Sequence, residues 1–269
     1  MPTYHSAQRL QIEGPDAVAF AHAQFSSNVK ALGTGQWQFS AWLDPQGRVR
    51  ALFHLVRLAD DHLLLLLRGG DAKALSDALS HFVFREKLSL RVATSILALS
   101  TGRPLPLYSA NDSDSETLTL GCGSHSLQIC NDHDGDDQWC IEQLYLGWPW
   151  LPEQASGKWL APALSLHRLH AVVTDKGCYP GQEIIARLHF RGGNKRHLCR
   201  VTLSHKSQPA DVLRLNQREI GYVLNTVYSA EGTEALVVLS DDVATQASDG
   251  HSLALDDKQT LRLVTAWEA

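Results

Sequence analysis

The sequence predicts an α+β protein that ends in a small antiparallel β-barrel or sandwich. Two patterns carry that expectation. Up to Ala93, segments that read as strands and helices follow one another as strand–helix–strand–strand–strand–helix–strand. From Leu198 onward the pattern changes to short apolar runs punctuated by turn residues. Composition agrees with a folded, globular chain: 269 residues, 44% hydrophobic and 20% charged, enough for a substantial core and two or three domains.

Arg9 to Ile12 reads as the first strand, and Gly14-Pro15-Asp16 starts a helix that runs roughly to Phe25, with Val18, Ala21 and Phe25 on one face. Trp37 to Leu43 and Arg48 to Leu58 are apolar-rich and joined by the turn residues Asp44-Pro45-Gln46-Gly47, so they predict a hairpin. His62 to Leu67 is a buried strand by its unbroken aliphatic run, and Asp71 caps a helix carrying Leu75, Leu79 and Phe82. Lys87 to Ala93 returns as a strand, and Ser95 to Leu99 is a further strand candidate. The polar run Ser109 to Glu116 predicts a solvated loop, while Thr117 to Leu120 and Ser126 to Cys130 pair across Gly121-Cys122-Gly123. Asn131 to Asp137 is acidic with calcium-loop-like spacing, but the closing position holds Gln143 and not Glu, so a solvated hairpin tip is the expectation. Trp148, Trp150 and Trp159 crowd around Pro149, Pro152 and Gly157, and either line a flat ligand pocket or fill a domain seam. Six short strands between Leu198 and Thr265 complete the barrel.

The formal charge of −5 argues against broad attraction to nucleic acid or to an acidic membrane. Met1 to Leu10 lacks the apolar core of a signal peptide, and Leu63 to Leu67 is far too short to span a bilayer. Cysteines at 122, 130, 140, 178 and 199 give neither C-x-x-C spacing nor a disulfide framework, which predicts a reduced, cytoplasmic protein without a closed metal site. The local exception in charge is the strip Arg187, Arg191, Lys195, Arg196 and Arg200, a solvated face by default and a fit for a polyglutamate tail or a phosphate.

The stretch with the most chemistry is Lys176-Gly177-Cys178-Tyr179-Pro180-Gly181-Gln182-Glu183, followed by Ala186-Arg187. Pro180-Gly181 marks a turn, and Gln182 to Leu188 reads as a short helix with Glu183 and Arg187 at i,i+4. Cys178 then sits just ahead of a helix N-terminus and two residues after Lys176, both of which favour thiolate over thiol. A buried, inert thiol is the ordinary alternative.

This run, with Phe190-Arg191-Gly192-Gly193-Asn194-Lys195-Arg196 after it, resembles the signature of the YgfZ family, folate-binding relatives of the glycine-cleavage T-protein that assist iron–sulfur proteins. Fainter likeness extends from Gly14-Pro15-Asp16-Ala17 through Asp44-Pro45-Gln46-Gly47-Arg48. The resemblance implies a T-protein-like fold, three domains around a central opening: residues 1–95, residues 96–191 (the first two side by side or interleaved), and a barrel of residues 192–269. It also implies tetrahydrofolate as the cofactor, iron–sulfur client or assembly proteins as partners, including those of tRNA modification, and no direct contact with nucleic acid. Cys178 would be the functional thiol with Lys176 as its electrostatic neighbour. Gly177, Tyr179, Gly181, Gln182, Glu183, Arg187, Tyr145 and Trp150 would meet the cofactor. The alternative function is a tetrahydrofolate-dependent one-carbon transferase like the T-protein itself, but the matching loop holds Cys178 where that enzyme is expected to use an aspartate. Family members carry an Arg and a Glu shortly before a G-x-P, the Glu facing the pterin. Aligned on Gly147-Trp148-Pro149, those places hold Gln143 and Tyr145, the alternative glutamate, Glu142, requires a shift of three residues, and Ser165 stands where an Asn is usual.

Overall fold

The computed structural model describes residues 7–93, 98–114, 117–130, 136–229, 232–247, 252–256 and 258–268. The first unit runs β1 (Arg9–Glu13), α1 (Ala17–Gln24), β2 (Gln36–Leu43), β3 (Val49–Ala59), β4 (His62–Gly69), α2 (Ala72–Ser80) and β5 (Ser89–Val92). Its five strands form one antiparallel sheet in the order β2-β3-β4-β1-β5. The aliphatic run of β4 shows why a strand without polar alternation forms here. Leu63, Leu65 and Leu67 pack with α1 and α2, while Leu64 and Leu66 face the opposite, equally dry side. Asp71 caps α2 as expected, its carboxylate accepting from the Ala74 N–H at 2.7 Å. The helix stops at Ser80, whose hydroxyl donates back to the Asp77 carbonyl, so Phe82 lies beyond it and is 41% exposed instead of extending the buried face.

A second sheet follows, β6 (Ala98–Gly102), β7 (Ala110–Asp114), β8 (Thr117–Gly121) and β9 (Ser126–Cys130), in the order β6-β9-β8-β7. The predicted loop over Ser109 to Glu116 is corrected here: Ala110–Asp114 is an edge strand paired with β8. An edge strand tolerates Asn and Asp because ladder bonds on one side hold it and charge on it discourages further pairing. Most of the acidic Asn131–Asp137 stretch lies outside the described residues. Asp136 is described, and it accepts from the Ser100 and Thr101 hydroxyls and the Gln138 N–H, tying the start of α3 (Gln138–Tyr145) to β6.

After α4 (Gln182–Arg191) comes the C-terminal unit: β10 (Arg196–Leu203), β11 (Val212–Leu215), β12 (Arg218–Ser229), β13 (Gly232–Ser240), α5 (Asp241–Ala247), β14 (Leu253–Ala254) and β15 (Thr260–Ala266). Its six strands, ordered β11-β12-β13-β10-β15-β14, make a nearly closed antiparallel barrel. The two edges are tied at one corner, where the Asp256 carboxylate accepts from the Asn216 and Gln217 N–H groups and the Asp256 N–H donates to the Arg214 carbonyl. Inside the barrel sit Cys199, Val201, Leu203, Val223, Val237 and Leu239, with Val243, Ala244 and Ala247 of α5, a helix the sequence pattern did not signal, packed against them. Outer residues Leu198, Tyr222, Leu224, Leu236 and Val238 join a different cluster, the one shared with the first two sheets.

Between α3 and α4 the chain has little regular structure and threads among the three sheets. The Val49 N–H donates to the Trp159 carbonyl, the Leu151 N–H to the Arg68 carbonyl, and the Trp150 N–H to the Asn225 side chain. Trp148 packs edge-on against Trp37 and Phe39, and Trp159 against Tyr222 of the barrel. With Trp148 at 5% and Trp159 at 6% exposure, these two rings fill the seam between units instead of lining an open pocket. Gly147 turns the chain here with φ of +66°, and a Cβ on it would lie 2.5 Å from the Trp267 ring, which the end of the chain lays across the seam.

Candidate functional site

The Lys176–Glu183 loop is held in place by its own side chains. Lys176 reaches from the loop to the C-terminal end of α1, where its ammonium donates to the His22 carbonyl at 2.5 Å and to the Phe25 carbonyl. A cation at a helix C-terminus is favourable because the last carbonyls lack partners within the helix. Burial lowers the Lys176 pKa to about 8. The same ammonium lies 4.8 Å from the centre of the Tyr179 ring, which is itself buried. The Tyr179 hydroxyl donates to the Val173 carbonyl at 2.8 Å, and burial raises its pKa. Gln182 closes the loop by donating from its amide to the Lys176 carbonyl at 3.2 Å.

Gly181 supplies the turn into α4 at φ of +79°, and a Cβ there would lie 2.6 Å from the Asp44 carbonyl oxygen and 2.8 Å from the Gly47 Cα. The β2–β3 turn, Asp44-Pro45-Gln46-Gly47-Arg48, is thus pressed directly against the start of α4. A Cβ on Gly47 would in turn lie 3.3 Å from Ile184 and Ile185. Two stretches singled out separately in the sequence form one contact. Gly177 is different: a Cβ on it would meet nothing within 4 Å.

What this scaffold leaves in solvent is Cys178, exposed at the loop's outer edge. Cys122 and Cys199 are buried, and burial pushes their thiols, like that of Cys140, up to about 12. Glu183 and Arg187 are also exposed, and among the described residues they form no ion pair, so the i,i+4 contact expected between them does not close. Further along α4, His189 stacks on His167 with ring centres 5.3 Å apart, and Phe190 is 76% exposed. Burial, and then His189, lower the His167 pKa. The basic strip divides: Arg187, Arg191 and Lys195 are exposed, while Arg196 lies over Trp159 and Arg200 over Tyr145.

The other predicted contacts, Tyr145 and Trp150, lie elsewhere. Trp150 is packed against Trp139 and over the guanidinium of Arg68. Arg68 is a residue that the sequence reading missed, and the signal was there: a charge closing an otherwise aliphatic strand. It is completely buried, and donates to the Pro149 and Trp148 carbonyls and, at 2.6 Å, to Gln143 Oε1. Burial brings its pKa down to about 9. Gln143 therefore suits its place as an acceptor, since an arginine there would set two guanidiniums side by side. Tyr145, 48% exposed, lines a cleft of about 80 Å³ between α3 and the barrel, together with Ile141, Leu144, Val227, Tyr228 and Glu234. The Tyr145 hydroxyl is 3.4 Å from Glu234 Oε1. The loop and this cleft share no lining residue.

No family model matches the chain. A protein of Haemophilus influenzae named only as uncharacterized is 25% identical over 250 residues, covering 88% of this chain and 87% of that one. The tRNA-modifying protein YgfZ of Edwardsiella ictaluri is 27% identical, covering 87% of this chain and 82% of its own length. Its Escherichia coli namesake is 30% identical over 224 residues, which are 79% of this chain and 66% of that protein. The chain belongs to the YgfZ family. Among solved structures, the glycine cleavage system aminomethyltransferase T from Bartonella henselae superposes over 96% of this chain and 82% of its own with a TM-score of 0.72. At 16% identity that likeness fixes the fold, the T-protein-like arrangement of three units, and leaves the chemistry to the family's own features. In this YgfZ-family chain the signature loop is a clasp between α1, the β2–β3 turn and α4, with one thiol outside it.

Proposed function

We propose that this protein is a cytoplasmic, folate-binding accessory factor that supports the assembly or repair of iron–sulfur enzymes, among them enzymes that modify tRNA, and that it acts through Cys178. The observation that carries the reading is the contrast within the loop: Lys176, Tyr179, Gly181 and Gln182 are engaged in holding it, and the Cys178 thiol is presented to solvent. An exposed thiol on a loop already held by hydrogen bonds can approach a partner protein's cluster or cysteine without the loop having to order first. Among the described residues no helix is long and apolar enough to cross a membrane.

Tetrahydrofolate needs two things of a protein, a flat apolar surface for its ring and an acceptor for the amino and ring N–H groups at its edge. The place of the family's glutamate is taken by Tyr145, yet a carboxylate stands beside it in Glu234, so the acceptor the ring edge needs is present. Tyr145 and Tyr228 would stack on it and Glu234 would orient its edge. Bound tetrahydrofolate would supply an electron-rich ring nitrogen able to carry a one-carbon unit. We place the domain boundaries at residues 95 and 191, the latter beside Gly192-Gly193, where added side chains would meet nothing within 4 Å.

The test is complementation of a strain lacking its own YgfZ-family protein, read as activity of iron–sulfur tRNA-modifying enzymes. Wild-type protein is expected to restore that activity and Cys178→Ser is not; full rescue by the serine variant would remove the thiol from the mechanism.

A further inference from the structure

We infer that the exposed face of α4 is where the partner protein docks, with Phe190 as the anchor, and that the partner meets it with an acidic surface. This deepens the proposed function by giving the partner a docking place and a charge, and rests on that reading.

Three observations support the assignment. The first is the placing of side chains on the helix. Glu183, Arg187, Phe190 and Arg191 recur at i, i+4, i+7 and i+8, so they share one face. All four are exposed, while Ile185 is turned inward and fully buried. The face starts at the Cys178 loop and runs the ten residues of α4, a span of about 15 Å. A protein seated there is brought up to the thiol.

The second is charge. Arg187, Arg191 and Lys195 form no ion pair among the described residues, and Arg48 adds an exposed cation on the turn packed against the start of α4. Glu183 is the one carboxylate of the helix. The chain as a whole carries a charge of −5, so an acidic partner is repelled elsewhere and drawn to this face.

The third is the bracing of the exposed ring. Phe190, 76% exposed, stands edge-on to His189 with ring centres 5.0 Å apart, and His189 stacks on the half-buried His167 at 5.3 Å. A ring already held by its neighbours loses little freedom when a partner covers it. Aromatic and arginine side chains together are the residues that most often carry binding energy between proteins. A phenylalanine among arginines would also stack on a nucleic-acid base. A single such ring on one helix face, in a chain of net negative charge, favours a protein, since RNA-binding surfaces are broadly basic and stack several bases.

The test uses the full chain in a strain lacking its own YgfZ-family protein. Phe190→Ala combined with Arg191→Glu changes exposed residues only, so the melting temperature and the iodoacetamide labelling rate of Cys178 should match wild type. At low expression this variant should support about tenfold less iron–sulfur tRNA-modifying activity, and at high expression rescue should return, because mass action offsets a weakened dock. Cys178→Ser should fail at both levels. If the double variant rescues like wild type at low expression, the docking face falls and the thiol reading stands. If it fails at both levels, α4 does something other than dock and the inference is overturned. Full rescue by Cys178→Ser overturns the thiol reading and the docking inference together. The occupant is read by placing the photo-crosslinker benzoylphenylalanine at position 190 and irradiating the same cells. The expected adduct survives ribonuclease, contains an iron–sulfur protein joined through an acidic peptide, and is lost with Arg187→Glu. No adduct, or one with RNA, with a second copy of this chain or with basic peptides only, would overturn the acidic-protein assignment.

Discussion

The Lys176–Glu183 loop and the α3–barrel cleft are built in opposite ways. In the loop, eight consecutive residues turn Lys176, Tyr179, Gly181 and Gln182 onto the end of α1, the β2–β3 turn and one another, and expose the Cys178 thiol and the Glu183 carboxylate. In the cleft, residues separated by as much as Ile141 and Glu234 contribute exposed aromatic rings and a loosely bound carboxylate. A dense motif is thus mostly scaffold, and the group that acts is the one the scaffold leaves over. A binding surface made of scattered residues has no comparable density, and only folding assembles it.

Breaking the scaffold should have the largest effect. Gly181→Ala combines a strained positive φ with a Cβ 2.6 Å from the Asp44 carbonyl oxygen, so urea unfolding should show a loss of about 2 to 3 kcal/mol. Gly177→Ala, four residues earlier with nothing within 4 Å, should stay within about 0.5 kcal/mol. Equal losses at the two glycines would refute the clasp.

Lys176→Met should come next, at about 1 to 2 kcal/mol near neutral pH, because the His22 and Phe25 carbonyls lose their donor. The pH dependence has a definite sign. The folded-state pKa of about 8 is below the unfolded value of 10.5, so between the two the unfolded chain binds more protons and folding gains as pH rises. The stability gap between wild type and variant should therefore widen from pH 7.5 toward pH 10, within the window set by those two values. A gap that narrows would place the ammonium in an ion pair instead.

Smaller in stability, and sharper for function, is the thiol itself. Cys178→Ser removes an exposed atom from a loop held by other residues, and its unfolding curve should match wild type within about 0.5 kcal/mol. Iodoacetamide followed by mass spectrometry should label Cys178 well before Cys122 and Cys199, which are buried with thiols pushed up to about 12. Equal labelling would mean that the loop hides its cysteine in solution. The smallest effect is expected at α4: Glu183→Gln and Arg187→Gln remove exposed charges that do not pair, so each should shift stability by under about 0.5 kcal/mol.

Much of this was legible in the chain. The apolar runs, the Asp44–Gly47 turn, the Asp71 cap and the change of pattern at Leu198 are local signals, and local signals survive without knowledge of partners. The loop's position ahead of a helix was readable for the same reason, since Pro180-Gly181 punctuates the backbone whatever surrounds it. The role of Lys176 was not: one pair of neighbours in sequence suggested an ammonium beside a thiol, and the fold gives that ammonium to carbonyls more than 150 residues earlier.

By itself, then, the sequence determined most of the elements, the barrel's strand pattern and the family to which the loop belongs, because these depend on spacing and on residue types within a few turns of chain. Tertiary structure decided which side chains are bound inward and which are offered outward. It made Ala110–Asp114 a strand by giving its backbone a partner, and buried Trp148 and Trp159 in a seam by bringing the first sheet and the barrel against them. It set Arg68 against Gln143, where each satisfies the other out of water, and brought Glu234 within reach of Tyr145. Burial and pairing are properties of neighbours in space, and a long-range contact leaves no mark on the spacing of residues along the chain.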